Sequence, residues 1–204
     1  SIFSVNPRDI TNMNYIYEYY QKICDGSVIV GQWIRLIYTL IVHGIESGEY
    51  IFDCRAANRA IRWIEEHCFH VEGPLAPGPF TLELWQKAMI SCIFGVMDPK
   101  TGKRQFREVL LLISRKQGKS LIASSIGDYV FRVDGGYGAR VYNVAPKLEQ
   151  ADIVYGNAWS MITLDPDQIE RKQRIEDQRA DGKHKKVEED PEIIKKRTSD
   201  LFYP

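Results

Sequence analysis

One stretch of the chain decides the fold class, because an apolar run leads directly into a glycine-containing loop and then into a helical pattern. It reads Val109-Leu110-Leu111-Leu112-Ile113-Ser114-Arg115-Lys116-Gln117-Gly118-Lys119-Ser120. Five consecutive apolar residues bounded by polar ones are typical of a strand buried on both faces. Residues 119–131 then have the apolar spacing of a helix. The stretch therefore predicts a strand, a loop and a helix in direct succession.

The end of this loop has the residue types of a phosphate-binding loop. In such a loop glycine permits close backbone approach, N–H groups at the helix start face the anion, lysine reaches the outer phosphates, and serine or threonine ligates Mg²⁺. Gly118, Lys119 and Ser120 supply these elements. The strict pattern needs a further glycine at position 113, where the chain has Ile113. The sequence thus meets the second half of the pattern and departs from the first.

A solvated basic turn between strand and helix is the alternative interpretation, in which Lys119 and Ser120 merely open the helix. Positive charge at a helix N-terminus opposes the helix dipole. Arg115, Lys116 and Lys119 nevertheless place three cations there. A bound anion would account for this clustering, so we favour the phosphate site.

The loop Ser114-Arg115-Lys116-Gln117-Gly118-Lys119-Ser120 resembles the deviant phosphate-binding loop of terminase large subunits from tailed phages, which lacks the first glycine and has an early arginine. Upstream, the resemblance continues in Pro79-Phe80-Thr81-Leu82-Glu83-Leu84-Trp85-Gln86, in Phe94-Gly95 and in residues 104–108. Downstream, it continues in residues 141–151 and 197–201. It implies the ATP-driven DNA-packaging motor of a tailed phage or prophage.

The resemblance implies roles for individual residues. Gln86 would recognise the adenine of ATP, since a carboxamide both donates and accepts hydrogen bonds; an ordinary exposed helix position is the alternative. The phosphates would be held by Ser114, Arg115, Lys116, Gln117, Gly118, Lys119 and Ser120. Lys119 would neutralise their charge, and Ser120 would ligate Mg²⁺. Arg115 and Lys119 would be catalytic, although contact of Arg115 with the β-phosphate or the sheet edge is an equal alternative.

The order of the predicted elements favours an α/β fold. A second apolar run at residues 139–144 follows the first helix, and another helix is predicted over about 147–162. This β-α-β-α order is typical of a parallel sheet flanked by helices, as in P-loop NTPases. The proline- and glycine-rich residues 73–79 cannot continue a helix or a strand. We therefore expect an N-terminal helical region over residues 1–78 and the first part of an ATPase domain over residues 79–204.

Three amphipathic helices are predicted in the N-terminal region. The first covers residues 12–24, and Asp53 is placed to cap the third. The second carries an apolar stripe that we expect to be buried, formed by Trp33, Leu36, Ile37, Leu40 and Ile41. Because polar residues interrupt the surrounding apolar stretch, a soluble helix is favoured over a membrane span.

Composition limits the partners and the compartment. Lys plus Arg and Asp plus Glu both number 27, so a DNA contact must come from a local surface. The four cysteines contain no Cys-x-x-Cys pair, and no signal-like start precedes them, which indicates reduced thiols in a cytosolic compartment. The resemblance implies that this is the cytoplasm of a bacterial host cell, with no membrane as a partner. The resemblance implies double-stranded viral DNA, a portal protein, a terminase small subunit and further copies of the chain as partners.

Two features of such a motor are not found in the sequence. An apolar strand ending in Asp-Glu is required to order Mg²⁺ and the attacking water, whereas Glu189-Asp190 follows a lysine-rich run. The spaced carboxylates of a two-metal nuclease are also missing. We expect both beyond Pro204, so that the chain alone does not hydrolyse ATP. The charged residues 165–197 are predicted to form a solvated helix pair or a mobile insertion.

Two other functions remain open at this level. One is a helicase-like or other P-loop enzyme that acts on nucleic acid. The other is a non-catalytic helical interaction module with a vestigial nucleotide site.

Overall fold

The computed structural model describes residues 14–180, and the side chains of residues 14–177. This part of the chain is mainly helical, with one small two-stranded sheet. The chain divides into two units, Ser1–Ile162 and Thr163–Pro204. The predicted similarity over residues 197–201, the pair Glu189-Asp190 and the second half of the charged stretch lie outside the described residues.

Three helices open the described chain, and side chains cap two of them, of which the cap at Asp53 agrees with the prediction. They are α1 (Tyr15–Cys24), α2 (Gln32–Glu46) and α3 (Cys54–His67). The Asn14 side chain accepts hydrogen bonds from the N–H groups of Ile16 and Tyr17. Asp53 accepts one from the N–H of Ala56 at 2.9 Å. Each cap satisfies N–H groups that the helix itself leaves unpaired.

Helix α4 (Leu84–Gly95) is the central element of the first unit. Its Ile90 and Phe94 belong to a cluster with side chains of α3, while its Ala88 and Cys92 belong to another with α1 and α2. A helix that is buried on several sides needs apolar residues around its whole circumference. This explains why α4 lacks the single apolar stripe of a surface helix.

Close approach of α3 to the end of α4 depends on Gly95. A Cβ atom at this position would lie 2.7 Å from the Phe52 ring and 2.9 Å from the Ala57 side chain. The Asp53 N–H also donates to the Gly95 carbonyl at 2.7 Å. Here strand β1 (Ile51–Phe52) pairs antiparallel with β2 (Val96–Met97), with Phe52 opposite Val96.

Two further helices complete the first unit. Helix α5 (Lys119–Tyr129) continues into a π-helical turn, Val130–Asp134, and α6 covers Leu148–Leu164. The fully buried ring of Tyr129 packs edge-on against Phe94 at 5.0 Å between centroids. The Ser124 hydroxyl lies within hydrogen-bond distance of two backbone carbonyl oxygens, Ser120 O at 2.7 Å and Val154 O at 2.8 Å. The second of these contacts joins α5 to α6.

In the second unit, α7 (Pro166–Ala180) is a polar, charged helix. The Asp165 carboxylate accepts a hydrogen bond from the Asp167 N–H at 3.1 Å and caps its start. The prediction of a solvated helix in this charged stretch agrees with α7 as far as residue 180. No helix in the described part of the chain is long and apolar enough to cross a membrane.

The two predicted strands at residues 109–113 and 139–144 are not confirmed, because neither segment pairs in a ladder within the described chain. A parallel strand exists only with hydrogen-bonded neighbours, and residues 14–180 supply none for these segments. Their apolar side chains are accordingly exposed: Leu110 is 84% exposed, Leu112 82% and Val144 92%. The predicted parallel sheet is therefore not confirmed, and the described fold is compatible with part of an α/β domain.

The predicted burial of the apolar stripe on α2 is wrong for four of its five residues. Ile41 is buried, whereas Trp33, Leu36, Ile37 and Leu40 are exposed. The inward face is formed instead by Tyr38, Ile41 and Val42, and the Tyr38 ring packs edge-on against Tyr19 of α1. Helix α2 is apolar on two sides, so its periodicity could not indicate which side meets α1.

Candidate nucleotide-binding site

The predicted phosphate loop lies immediately before α5 and has the backbone of a tight turn. Gly118 is the N-cap residue of α5 and adopts a left-handed conformation, with φ 71° and ψ 19°. Lys116, two residues earlier, is also left-handed, with φ 64°. Left-handed residues inside a turn bring successive backbone N–H groups toward one side, which is the geometry of anion-binding nests.

Gly118 also leaves the start of α5 without a side-chain cap. The first N–H groups of a helix have no intrahelical acceptor, and they carry the positive end of the helix dipole. A capping carboxylate or hydroxyl would compete with an anion for these donors. The absence of a capping side chain at α5 therefore suits an anionic ligand.

The Lys119 side chain folds back across the loop. Its Nζ donates to the carbonyl oxygen of Ile113 at 3.2 Å, so that the ammonium group spans six residues and closes the loop. Arg115, Lys116 and Lys119 are all exposed. Three cations thus lie within five residues of chain, beside the uncapped start of α5, with their side chains accessible to a ligand.

Ser120 occupies the first turn of α5 and is half-buried. Its backbone carbonyl accepts the hydrogen bond from Ser124 Oγ, and Ser124 is itself buried against α6. The first turn is therefore anchored to the helix layer behind it. A phosphate group could accept hydrogen bonds from the N–H groups at the start of α5, and the Ser120 hydroxyl could serve as an oxygen ligand for Mg²⁺.

Gln86 does not lie on an exposed helix surface, as the alternative to adenine recognition required. It is 6% exposed in the first turn of α4, where its Oε1 accepts a hydrogen bond from the Glu83 N–H at 2.8 Å. Gln86 and Glu83 together form a capping box. In the described part of the chain, no hydrogen bond joins Gln86 to the loop at residues 114–120.

Sequence reasoning missed the capping role because the box begins with Glu83 rather than with the serine or threonine of the usual pattern. It also missed the ion pair between Arg104 and Asp134, which joins the segment before the loop to the end of the π-helical turn. The spacing of 30 residues between the two partners carries no local signal.

Comparison with known families gives one decisive finding. Residues 84–195 match the family described as the terminase large subunit, ATPase domain, and this is more than half of the chain. The chain belongs to the terminase large-subunit ATPase family. No curated protein and no solved structure gives a match to it.

The extent of the match to the terminase ATPase family fits the geometry of the site. The matched range begins with the first residue of α4 and includes Gln86, the loop and α5. The resemblance inferred from the loop sequence is thus confirmed at the level of the family. An ATPase role follows from that membership, whereas the individual roles of Gln86, Arg115 and Lys119 are proposals.

Proposed function

We propose that this chain is the ATP-binding part of a terminase large subunit, the motor that drives viral DNA into a capsid by hydrolysing ATP. The observation that carries the proposal is the conformation of Gly118, which opens α5 without a capping group in the middle of three cations. Family membership supports the ATPase role. The loop geometry supports phosphates as the ligand.

Within this site each residue contributes a distinct interaction. The N–H groups at the start of α5 would donate to the β- and γ-phosphates, and Lys119 would move from the Ile113 carbonyl to neutralise them. Ser120 would ligate Mg²⁺, which shields the phosphate charge when bound. Arg115 carries a guanidinium that can stabilise the negative charge developing on the transferred phosphoryl group.

Gln86 would hold the adenine through the part of its carboxamide that the capping box leaves available. Its Oε1 already accepts from the Glu83 N–H, so the Nε2 donors and the second lone pair of Oε1 remain for a base. The amide is buried, which strengthens any hydrogen bond it makes.

The exposed apolar segments at residues 109–113 and 139–144 would become strands of a parallel sheet once neighbouring strands pair with them. Burial fits this proposal, since Leu111 and Ile113 are half-buried while Leu110 and Leu112 are exposed, the alternation of an extended chain. The sheet would place the loop at its carboxyl edge, the usual ligand-binding edge of such folds. Residues 79–204 would then begin the ATPase domain, with residues 1–78 as a helical accessory region.

The proposal also includes the family's partners. Double-stranded viral DNA would be the transported substrate, and the portal protein, the terminase small subunit and further copies of the large subunit would assemble around it in the host cytoplasm. The apolar strand ending in Asp-Glu that hydrolysis requires would come from the remainder of the full-length protein, as would a nuclease domain.

Substitution of Lys119 tests the proposal directly. In the full-length protein, Lys119→Ala should lower ATP turnover by roughly 100-fold or more, because one charge-stabilising donor is removed from the transition state. Lys22→Ala, which removes a lysine on α1, is the matched control and should leave turnover unchanged. Undiminished turnover in Lys119→Ala, with a folded protein by circular dichroism, would contradict the assignment.

A further inference from the structure

A second basic site lies at the opposite end of α4 from Gln86. It is a cavity of about 560 Å³ between the end of α4, the turn at residues 98–104 and the end of the π-helical turn. Its lining includes Lys103, Arg104, Phe106, Arg107 and Asp134. We propose that this cleft binds phosphate groups of a nucleic-acid backbone, with double-stranded DNA as the ligand.

Hydrogen bonds to Asp98 fix the turn that forms one wall of the cleft. The Asp98 carboxylate accepts hydrogen bonds from the Lys100 N–H and the Thr101 hydroxyl, both at 2.8 Å. The Asp98 N–H donates to the Lys103 carbonyl at 2.9 Å, and Gly102 supplies a left-handed residue at φ 64°. The Asp98 carboxylate thus bonds within the turn and does not line the cleft.

The charges that line the cleft divide into a fixed pair and two available cations. Arg104 forms an ion pair with Asp134, and its guanidinium lies over the Phe94 ring at 4.8 Å from the centroid. Lys103 and Arg107 are exposed, and within the described residues no carboxylate lies within ion-pair distance of either. Glu108, the nearest acidic residue in sequence to Arg107, is exposed and does not line the cleft. The cleft therefore presents a net positive surface.

This surface is separate from the candidate ATP site. Gln86 lies at the first turn of α4 and Ile93 near its last, roughly 10 Å apart along the helix axis. Val109 lines the cleft, whereas the loop begins five residues later, at the other end of the apolar segment. None of the loop residues 114–120 lines the cleft, so the ATP phosphates and the proposed DNA phosphates would contact different residues.

A polyanion suits the cleft better than a single ion does. Lys103 and Arg107 lie four residues apart, on the turn and on the segment after it, so they can meet successive phosphates of one backbone. Because the whole chain has no net charge, such a local surface is where a DNA contact is expected. The choice of DNA rests on the proposed packaging function, whereas binding itself requires no ATP hydrolysis.

Charge reversal at the two available cations tests the proposal. In the full-length protein, Lys103→Glu/Arg107→Glu should weaken binding of a fluorescently labelled DNA duplex at least tenfold in anisotropy titrations. The slope of log K against log salt should fall by about two, since about two phosphate contacts are lost. The matched control, Lys22→Glu/Arg62→Glu, changes net charge equally, at half-buried Lys22 on α1 and exposed Arg62 on α3, and should leave affinity and slope unchanged.

Two further measurements separate this proposal from the function of the loop. The cleft variant should retain its calorimetric affinity for ATP, whereas Lys119→Ala should lose ATP affinity and keep its affinity for DNA. Should charge reversal alter folding, the milder variant Lys103→Ala/Arg107→Ala replaces it. This variant should also lower the slope of log K against log salt. Unchanged DNA affinity and slope in a folded cleft variant, or loss of ATP binding alone, would overturn the proposal. If the cleft variant keeps its affinity for DNA but loses affinity for an acidic peptide, the cleft binds an acidic protein segment and the proposal is wrong.

Discussion

The carboxamide of Gln86 accepts a hydrogen bond from the backbone N–H of Glu83, at 2.8 Å, at the buried start of α4. This contact gives Gln86 a structural role whether or not a base is bound. A test of adenine recognition must therefore separate the acceptor used in the cap from the donors available to the nucleotide.

Gln86→Glu makes that separation, because a carboxylate keeps the acceptor and loses the amide donors. We expect Gln86→Glu to keep the cap and to lose its preference for ATP over GTP, measured by calorimetry on the folded variant. Gln86→Ala should lose about 1 kcal/mol of unfolding free energy along with the preference. If Gln86→Glu discriminates between ATP and GTP as well as the wild type does, Gln86 only caps the helix.

Substitutions at the two left-handed residues of the loop should differ in their effect on the unfolding free energy. Gly118→Ala should lower the unfolding free energy by about 1 kcal/mol, since alanine is strained at φ 71° even though its Cβ would meet no atom within 4 Å. Lys116→Gly should change it by less than about 0.5 kcal/mol, because relief of strain offsets the greater freedom of the unfolded chain. Chemical denaturation measures both; equal losses in the two variants would show that left-handed strain does not govern the loop.

Adjacent residues of α2 test which of its apolar sides is structural. Ile41 is 7% exposed and Leu40 is 59% exposed. Ile41→Ala should destabilise the protein by about 2–5 kcal/mol, the usual cost of truncating a buried aliphatic side chain. Leu40→Ala should cost less than about 0.5 kcal/mol, as for ordinary surface positions. Comparable losses in denaturant midpoint would mean that the outer side of α2 is covered in the intact protein.

The four cysteines, all free thiols, should differ widely in reactivity. Burial raises the pKa of the Cys92 thiol to about 12, so at pH 8 only on the order of one molecule in ten thousand has a Cys92 thiolate. Cys24 is exposed. A pulse of iodoacetamide followed by mass spectrometry should therefore modify Cys24 first and Cys92 only after unfolding.

The same pKa predicts a loss of stability in alkali. Because folding raises the pKa of Cys92 above its ordinary value of 9.0, the stabilising contribution of the neutral thiol is complete below pH 9. It decreases as the pH rises from there toward about 12. A melting temperature that rose over this interval would contradict the burial of Cys92.

Local chemistry explains which features the sequence could predict. The cap at Asp53 involves an N–H group only three positions away, so a side chain of the right type before a helical pattern was sufficient. The phosphate loop is likewise defined within seven residues. Its departure at Ile113 pointed to the terminase family, which the match over residues 84–195 bears out.

Features that depend on distant partners were the ones that sequence could not fix. A parallel strand at residues 109–113 requires a neighbour from elsewhere, and the described chain contains none. The inward side of α2 depends on where α1 packs, and both sides of α2 are apolar. The Arg104–Asp134 pair and the cleft beside it follow from the path of the backbone, which no local pattern of residues records.

The π-helical turn after α5 makes one continuous rod of residues 119–134, roughly 24 Å long by the rise of an α-helix. Lys119 stands at one end and Asp134, bonded to Arg104, at the other. Two ligands that each alter the position of this rod would be linked thermodynamically, and linkage is reciprocal. If ATP changes the affinity of the proposed cleft for DNA by a given factor, DNA changes the affinity of the loop for ATP by the same factor, so the coupling between the two proposed sites can be measured from nucleotide binding alone.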